Sequence, residues 1–364
     1  MNLKINENLE GLAGYASAPP TSQLLGRSIQ LSQNELSAAL PEDVARAAQK
    51  SLLRSNFYPD PTSSALREML AEQNSLSASR ILVGAGSLDL LRIIAFSFTN
   101  VDDEVLVPMH SYPFFTLHAT FNGARVVESA VDAKLKAIIE MILGECSERT
   151  SIVYIANPGN PTGTYLPVSE LSKLRAGLPE NVLLVIDEAY REFVISDDES
   201  AAKAFSDSPN VIVLRTFSKA YGLAAHRIGW ATASEDILSV MRKVQVPSSV
   251  TSIAQLCALE LLKREKLIKE RCLELSRRRD AFETWLQSLD VNTTDSQGNF
   301  ALMLLRSSKE REALYGKFCE QGLFVRPQVA AGLPDALRIT IGSEEQMSLA
   351  KGIIEESLLQ VRSG

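Results

Sequence analysis

Cysteine and histidine are scarce in this 364-residue chain, four and three in number. The thiols Cys146, Cys257, Cys272 and Cys319 share no CxxC and no Cys/His ligand spacing, so we expect reduced thiols and no metal centre. No run approaches the roughly 18 apolar residues of a membrane span. MNLKINENLE has no basic stretch followed by an apolar one, so no secretion signal is expected and a soluble, cytoplasmic protein is read. Positive charge is in deficit: Lys+Arg 37 against Asp+Glu 44 gives a net charge of -7, which would repel a nucleic-acid backbone or an anionic membrane. Also missing are a GxxxxGK[ST] nucleotide loop, an internal repeat and a low-complexity linker. With 45% hydrophobic and 22% charged residues the composition is globular and excludes disorder, and the length suits one large domain plus a smaller one.

Short apolar, β-branched runs at 81–83, 104–107, 125–127, 152–155, 182–186 and 211–214 alternate with segments of helical period. Runs apolar throughout predict strands covered on both faces, as in a doubly wound parallel α/β sheet, with function at the strand C-terminal ends. A helix is expected over 41–54, opened by Pro41 with Glu42 and Asp43 in its first turn. Helical, charged segments follow at 236–246 and 253–289. Strands at 300–304 and 337–341 with helices at 309–321 and 344–359 describe a smaller α+β unit. The expected organisation is an N-terminal arm over 1–35 that packs with the small domain, a large domain over 36–250, and a small domain over 251–364 carrying a long linking helix. The cluster Arg277, Arg278, Arg279 is read as a solvated helix face without function.

Four segments carry chemistry. In 211–227 an apolar strand runs into Thr216-Phe-Ser218-Lys219, which sets an amine where desolvation and neighbouring cations depress its pKa, as a Schiff-base lysine requires. Thr216, Ser218 and Arg227 surround it as an anion cradle; a surface lysine after a strand is the plainer alternative. In 182–190 an apolar strand ends at Asp187-Glu188-Ala-Tyr190, where a buried carboxylate implies a cationic partner such as a protonated pyridine nitrogen, or else a metal-binding acid. Asn157-Pro-Gly-Asn160-Pro-Thr-Gly163 follows another strand; it could present the Asn160 amide to a ring oxygen, or serve as a turn alone. Val83-Gly84-Ala-Gly86-Ser87-Leu88 passes from strand to helix and exposes amides to a phosphate, though it is not GxGxxG.

Taken together and in this order, these motifs resemble the aminotransferases of fold type I (class I/II), which depend on pyridoxal 5'-phosphate, and DEAYREF with LRTFSKAYGLAAHRIGW is most similar to the histidinol-phosphate aminotransferase branch. The resemblance implies a large domain with a mostly parallel seven-stranded sheet flanked by helices, a smaller α+β domain, and a homodimeric enzyme of amino acid biosynthesis. It implies Lys219 as the catalytic residue that holds the cofactor and then transfers the proton. Asp187 would pair with the ring nitrogen, Tyr190 and Asn160 with the ring oxygen, and Tyr112 would stack on the ring. Gly86, Ser87, Leu88, Thr216, Ser218 and Arg227 would hold the phosphate, completed by Tyr58 from the partner subunit. Arg338 and Arg326 would take substrate anions, with Tyr15 and Asn34 from the arm beside them.

The branch signature Asn-Glu-Asn-Pro reads Asn34-Glu35-Leu36-Ser37 here, and histidines stand at 110, 118 and 226, where pocket groups titrating near neutrality or structural histidines are both open. The expected reaction is therefore amino exchange with a 2-oxo acid, with a lyase, decarboxylase or cyclase on a modified amino acid as the alternative use of the same cofactor site.

Overall fold

All six apolar runs become strands, because each carries apolar side chains on both faces and burial is satisfied only between two helical layers. In the computed structural model, which describes residues 7–9, 28–196 and 198–363, β1 (Ile29–Gln30) precedes α1 (Glu42–Ser51) and α2 (Ser64–Asn74). β2 (Ile81–Gly84) leads into α3 (Ser87–Phe98), β3 (Glu104–Pro108) into α4 (Pro113–Phe121), and β4 (Arg125–Ser129) into α5 (Ile139–Glu145). β5 (Thr150–Ala156), α6 (Val168–Gly177), β6 (Leu183–Asp187), α7 (Ala201–Ala204), β7 (Val211–Thr216) and β8 (Gly229–Thr232) follow. These strands form one seven-stranded sheet of order β2-β8-β7-β6-β5-β3-β4, parallel except that β8 runs against both its neighbours. The alternation is visible along β7: Val211 and Val213 join one apolar cluster, Ile212 and Leu214 the other.

The C-terminal third contains α8 (Glu235–Val244), α9 (Ser252–Leu262), α10 (Glu265–Ser288), β9 (Asn292–Thr293), β10 (Phe300–Leu304), α11 (Ser308–Glu320), β11 (Leu323–Phe324), β12 (Arg326–Pro327), β13 (Ala336–Thr340) and α12 (Glu344–Ser363). An antiparallel four-stranded sheet runs β12-β13-β10-β9, and β1 pairs in parallel with β11. No helix among the described residues is long and apolar enough to cross a membrane.

Two expectations are corrected. The segment 253–289 is two helices, broken where Arg264 leaves helical geometry (φ -111°, ψ 42°) and its guanidinium ties to Glu260 and to Asp43 of α1. The triple arginine is not one solvated face. Three successive helix positions span about 200° of the helix surface, so one must turn inward: Arg279 is fully buried and donates from Nη1 to the Gly298 carbonyl at 2.9 Å, while Arg277 is exposed.

Candidate active site

The C-terminal ends of β5, β6 and β7, the start of α3 and the edge of β13 enclose a cavity of about 490 Å³. Ser87, Leu88, Tyr112, Asn160, Asp187, Tyr190, Thr216, Ser218, Lys219 and Arg227 all line it, and so do Asn34, Arg326 and Arg338. Gly86 stands directly behind Arg227. Its φ is +90°, and a Cβ there would come within 2.7 Å of the Arg227 Nη2, so only glycine leaves the guanidinium its place. Of the other expected residues, Tyr58 is 92% exposed on the surface of this protomer, and Tyr15 lies outside the described residues.

Asp187 ends β6 and is buried. It accepts hydrogen bonds from the Tyr154 hydroxyl at 3.2 Å and the Ala189 amide at 3.1 Å. No ion pair reaches it among the described residues, and burial pushes its carboxyl up to about 6. Its neighbour Glu188 points the other way, as strand alternation requires, and is answered by Arg215 at 3.4 Å and Arg191 at 3.9 Å. The acidic pair thus splits: Glu188 serves the structure, whereas Asp187 still needs a cation. Across the cavity the Lys219 Nζ donates to the Gln33 carbonyl at 2.9 Å. Burial, then the Arg338 charge, brings its amine down to about 7, against a weaker opposing pull from Glu35.

At the third corner Thr216 Oγ1 donates to Ser218 Oγ at 3.1 Å and Arg227 Nη1 reaches Ser218 Oγ at 3.3 Å. These hydroxyls and the guanidinium meet the first turn of α3, whose amides and dipole suit an anion. On the opposite wall Arg338 is buried, donating to Asn160 Oδ1 at 2.5 Å and to the Ser32 carbonyl at 2.6 Å. Arg326 stands directly across from it in the β12–β13 register, and both residues line the cavity.

Sequence reasoning missed Tyr154, whose hydroxyl was the sole polar side-chain atom in the apolar run 152–155 and so had to find a buried partner. It also missed Gln33 and Ser32, which act through backbone carbonyls that no side chain announces. None of the three histidines lines the cavity. His110 Nδ1 lies 2.7 Å from the Ala331 carbonyl at the cavity's rim, and His118 packs edge-on against Phe96 and Phe121 with burial lowering its basicity.

One bound group would answer a cation-seeking carboxylate, a weakly basic amine and an anion cradle at once: pyridoxal phosphate, with its pyridinium, aldehyde and phosphate. The donor set fits it, and the class is that of pyridoxal-phosphate-dependent enzymes of fold type I. The chain belongs to the aminotransferase class I and II family, which matches residues 27–352. It is 36% identical to the histidinol-phosphate aminotransferase of Zymomonas mobilis subsp. mobilis over 97% of this chain and 96% of that one. The same enzyme of Erythrobacter litoralis is 36% identical over 95% of each chain. The crystal structure of histidinol-phosphate aminotransferase from Sinorhizobium meliloti in complex with pyridoxal-5'-phosphate superposes with a TM-score of 0.90 at 25% identity, covering 98% of both chains.

Proposed function

We propose that the protein exchanges the amino group of histidinol phosphate with 2-oxoglutarate. The observation that carries this substrate is the facing pair Arg326 and Arg338, which suits the phosphate of the one and the carboxylates of the other. The names borne by its relatives agree with it.

When bound, pyridoxal phosphate supplies an aldehyde that takes up the amine and a ring that accepts the electron pair released at the substrate's Cα. With it bound, Lys219 Nζ would take the substrate's Cα proton as base and give it back as acid, for which an amine lowered to about 7 is suited. Asp187 would keep the ring nitrogen protonated. Tyr190 and the amide nitrogen of Asn160, whose oxygen is engaged by Arg338, would donate to the ring oxygen. The amides of Ser87 and Leu88 with Thr216, Ser218 and Arg227 would hold the phosphate, and Tyr112 would cover the ring face.

The test is steady-state assay with histidinol phosphate and 2-oxoglutarate, in which glutamate should form one for one with substrate consumed. Release of ammonia or carbon dioxide instead would identify elimination or decarboxylation and overturn the reading. Arg338→Ala should raise KM about a hundredfold, the lower end of the cost of leaving a buried charge unmatched. An unchanged KM would place the anion elsewhere.

The seven-stranded and four-stranded sheets support a large domain over 36–250 and a small one over 251–364, with the β1–β11 pairing tying the arm to the latter. The exposed apolar stretch Leu52, Leu53, Phe57 and Tyr58 supports a homodimer in which Tyr58 reaches the partner's phosphate corner. Tyr58→Phe should weaken cofactor binding about tenfold, one hydrogen bond to a charged group, in equilibrium dialysis; sedimentation showing a fully active monomer would refute the shared site.

A further inference from the structure

Asn34 was expected to touch substrate, yet each end of its side-chain amide is already engaged by the protein. The residue is buried, sits in the left-handed region (φ 55°), and is held on four sides. Its N–H donates to Thr340 Oγ1 at 2.9 Å, its carbonyl accepts from Asn299 Nδ2 at 3.1 Å, its Oδ1 accepts from Thr340 Oγ1 at 3.3 Å, and its Nδ2 donates to the Tyr190 hydroxyl at 2.9 Å. Thr340 is also buried and already accepts the Asn34 N–H. Its one proton finds an acceptor only if the Asn34 side-chain oxygen faces it, because turning the amide over would set a hydroxyl proton against an NH2. The polarity is thereby fixed as Thr340 to Asn34 to Tyr190.

We infer that Asn34 is a positioning residue: by filling an acceptor site on the Tyr190 oxygen, it turns the phenol proton toward the cavity, making Tyr190 a donor there. The inference rests on the cofactor reading, in which that donor meets the ring oxygen. Other charged groups face Tyr190 as well: Arg338 from β13, Asp187 from β6, and Lys219, whose Nζ is 5.8 Å from the ring centroid. A test must therefore separate proton direction from charge.

The readout is the pH midpoint of the bound cofactor's visible absorbance, recorded on holoenzyme. In Asn34→Asp the carboxylate accepts the phenol proton and reverses the chain, so the midpoint should rise by about one pH unit, the size of one hydrogen bond to a charged oxygen. In a Tyr190→Phe background the same substitution should then add little. Thr340→Val introduces no charge and frees the amide to turn over, and should shift the midpoint in the same direction by less. An equal shift in both backgrounds, or none in either Asn34→Asp or Thr340→Val, would overturn the inference. Failure of the wild-type protein to give a visible band with pyridoxal phosphate would instead sink the cofactor reading on which it rests.

Discussion

Exchanging Lys219 for alanine is expected to cut turnover about ten-thousand-fold or more, since the proposed function places both general acid–base transfer and covalent capture of the cofactor on one amine. The fold should survive, because Lys219 bonds one exposed backbone carbonyl, that of Gln33, and its removal relieves a cation crowded by Arg338 and Arg227. Pyridoxal phosphate should still bind through the α3 cradle and Asp187, but without the visible band of the lysine-linked cofactor. The pH dependence has a definite sign. Capture requires the neutral amine, and an amine lowered to about 7 is mostly cationic at pH 6 and mostly neutral at pH 8, so the rate of reconstitution of wild-type apoprotein should rise across that interval and then level. An ordinary lysine would keep rising toward pH 10. Stopped-flow reconstitution and single-turnover assay measure both, and activity retained in Lys219→Ala would remove this residue from the chemistry.

Much of this was legible in the sequence because strand ends are legible. Apolar runs on both faces announced six of the seven strands, and each functional motif began where a run stopped. β8 was not announced, since Gly229-Trp230-Ala231-Thr232 is too short and too mixed to show a period. The cradle could be read because Thr216, Ser218, Lys219 and Arg227 are close along the chain. The opposite wall could not be assembled in the same way. Arg338 meets Ser32 306 positions away and Asn160 178 away, and Lys219 meets Gln33 186 away, through groups whose partners only tertiary structure selects. Asn34 shows the difference between proximity and role: it lines the cavity, as expected, but its amide is oriented by Thr340 and Tyr190. The division between Asp187 and Glu188 was implicit in the period of two, which sends adjacent side chains to opposite faces.

Asp187→Asn separates stability from function and is expected to move them in opposite directions. In the apoprotein the carboxyl titrates near 6, against 3.8 when unperturbed. The native state therefore binds more protons than the unfolded chain between these values, and stability falls as pH rises through that window. Two pH units correspond to about 3 kcal/mol at neutrality, net of the Tyr154 and Ala189 bonds that favour the charged form. A neutral amide escapes this loss, so apo Asp187→Asn should match the wild type in urea near pH 4 and exceed it by about 1 to 3 kcal/mol at pH 7. The holoenzyme should show the reverse in catalysis. Without a carboxylate the ring nitrogen loses its proton and the electron sink weakens, lowering kcat about a thousandfold, the order of effect expected when a preorganised charge is removed from a water-excluded site. Wild-type kcat in the asparagine variant would deny Asp187 its role, and a variant less stable than wild type at pH 7 would deny that the carboxylate is unpaired in the apoprotein. If both effects appear, the carboxylate is a group that the fold tolerates at a cost in stability because the bound cation restores the balance.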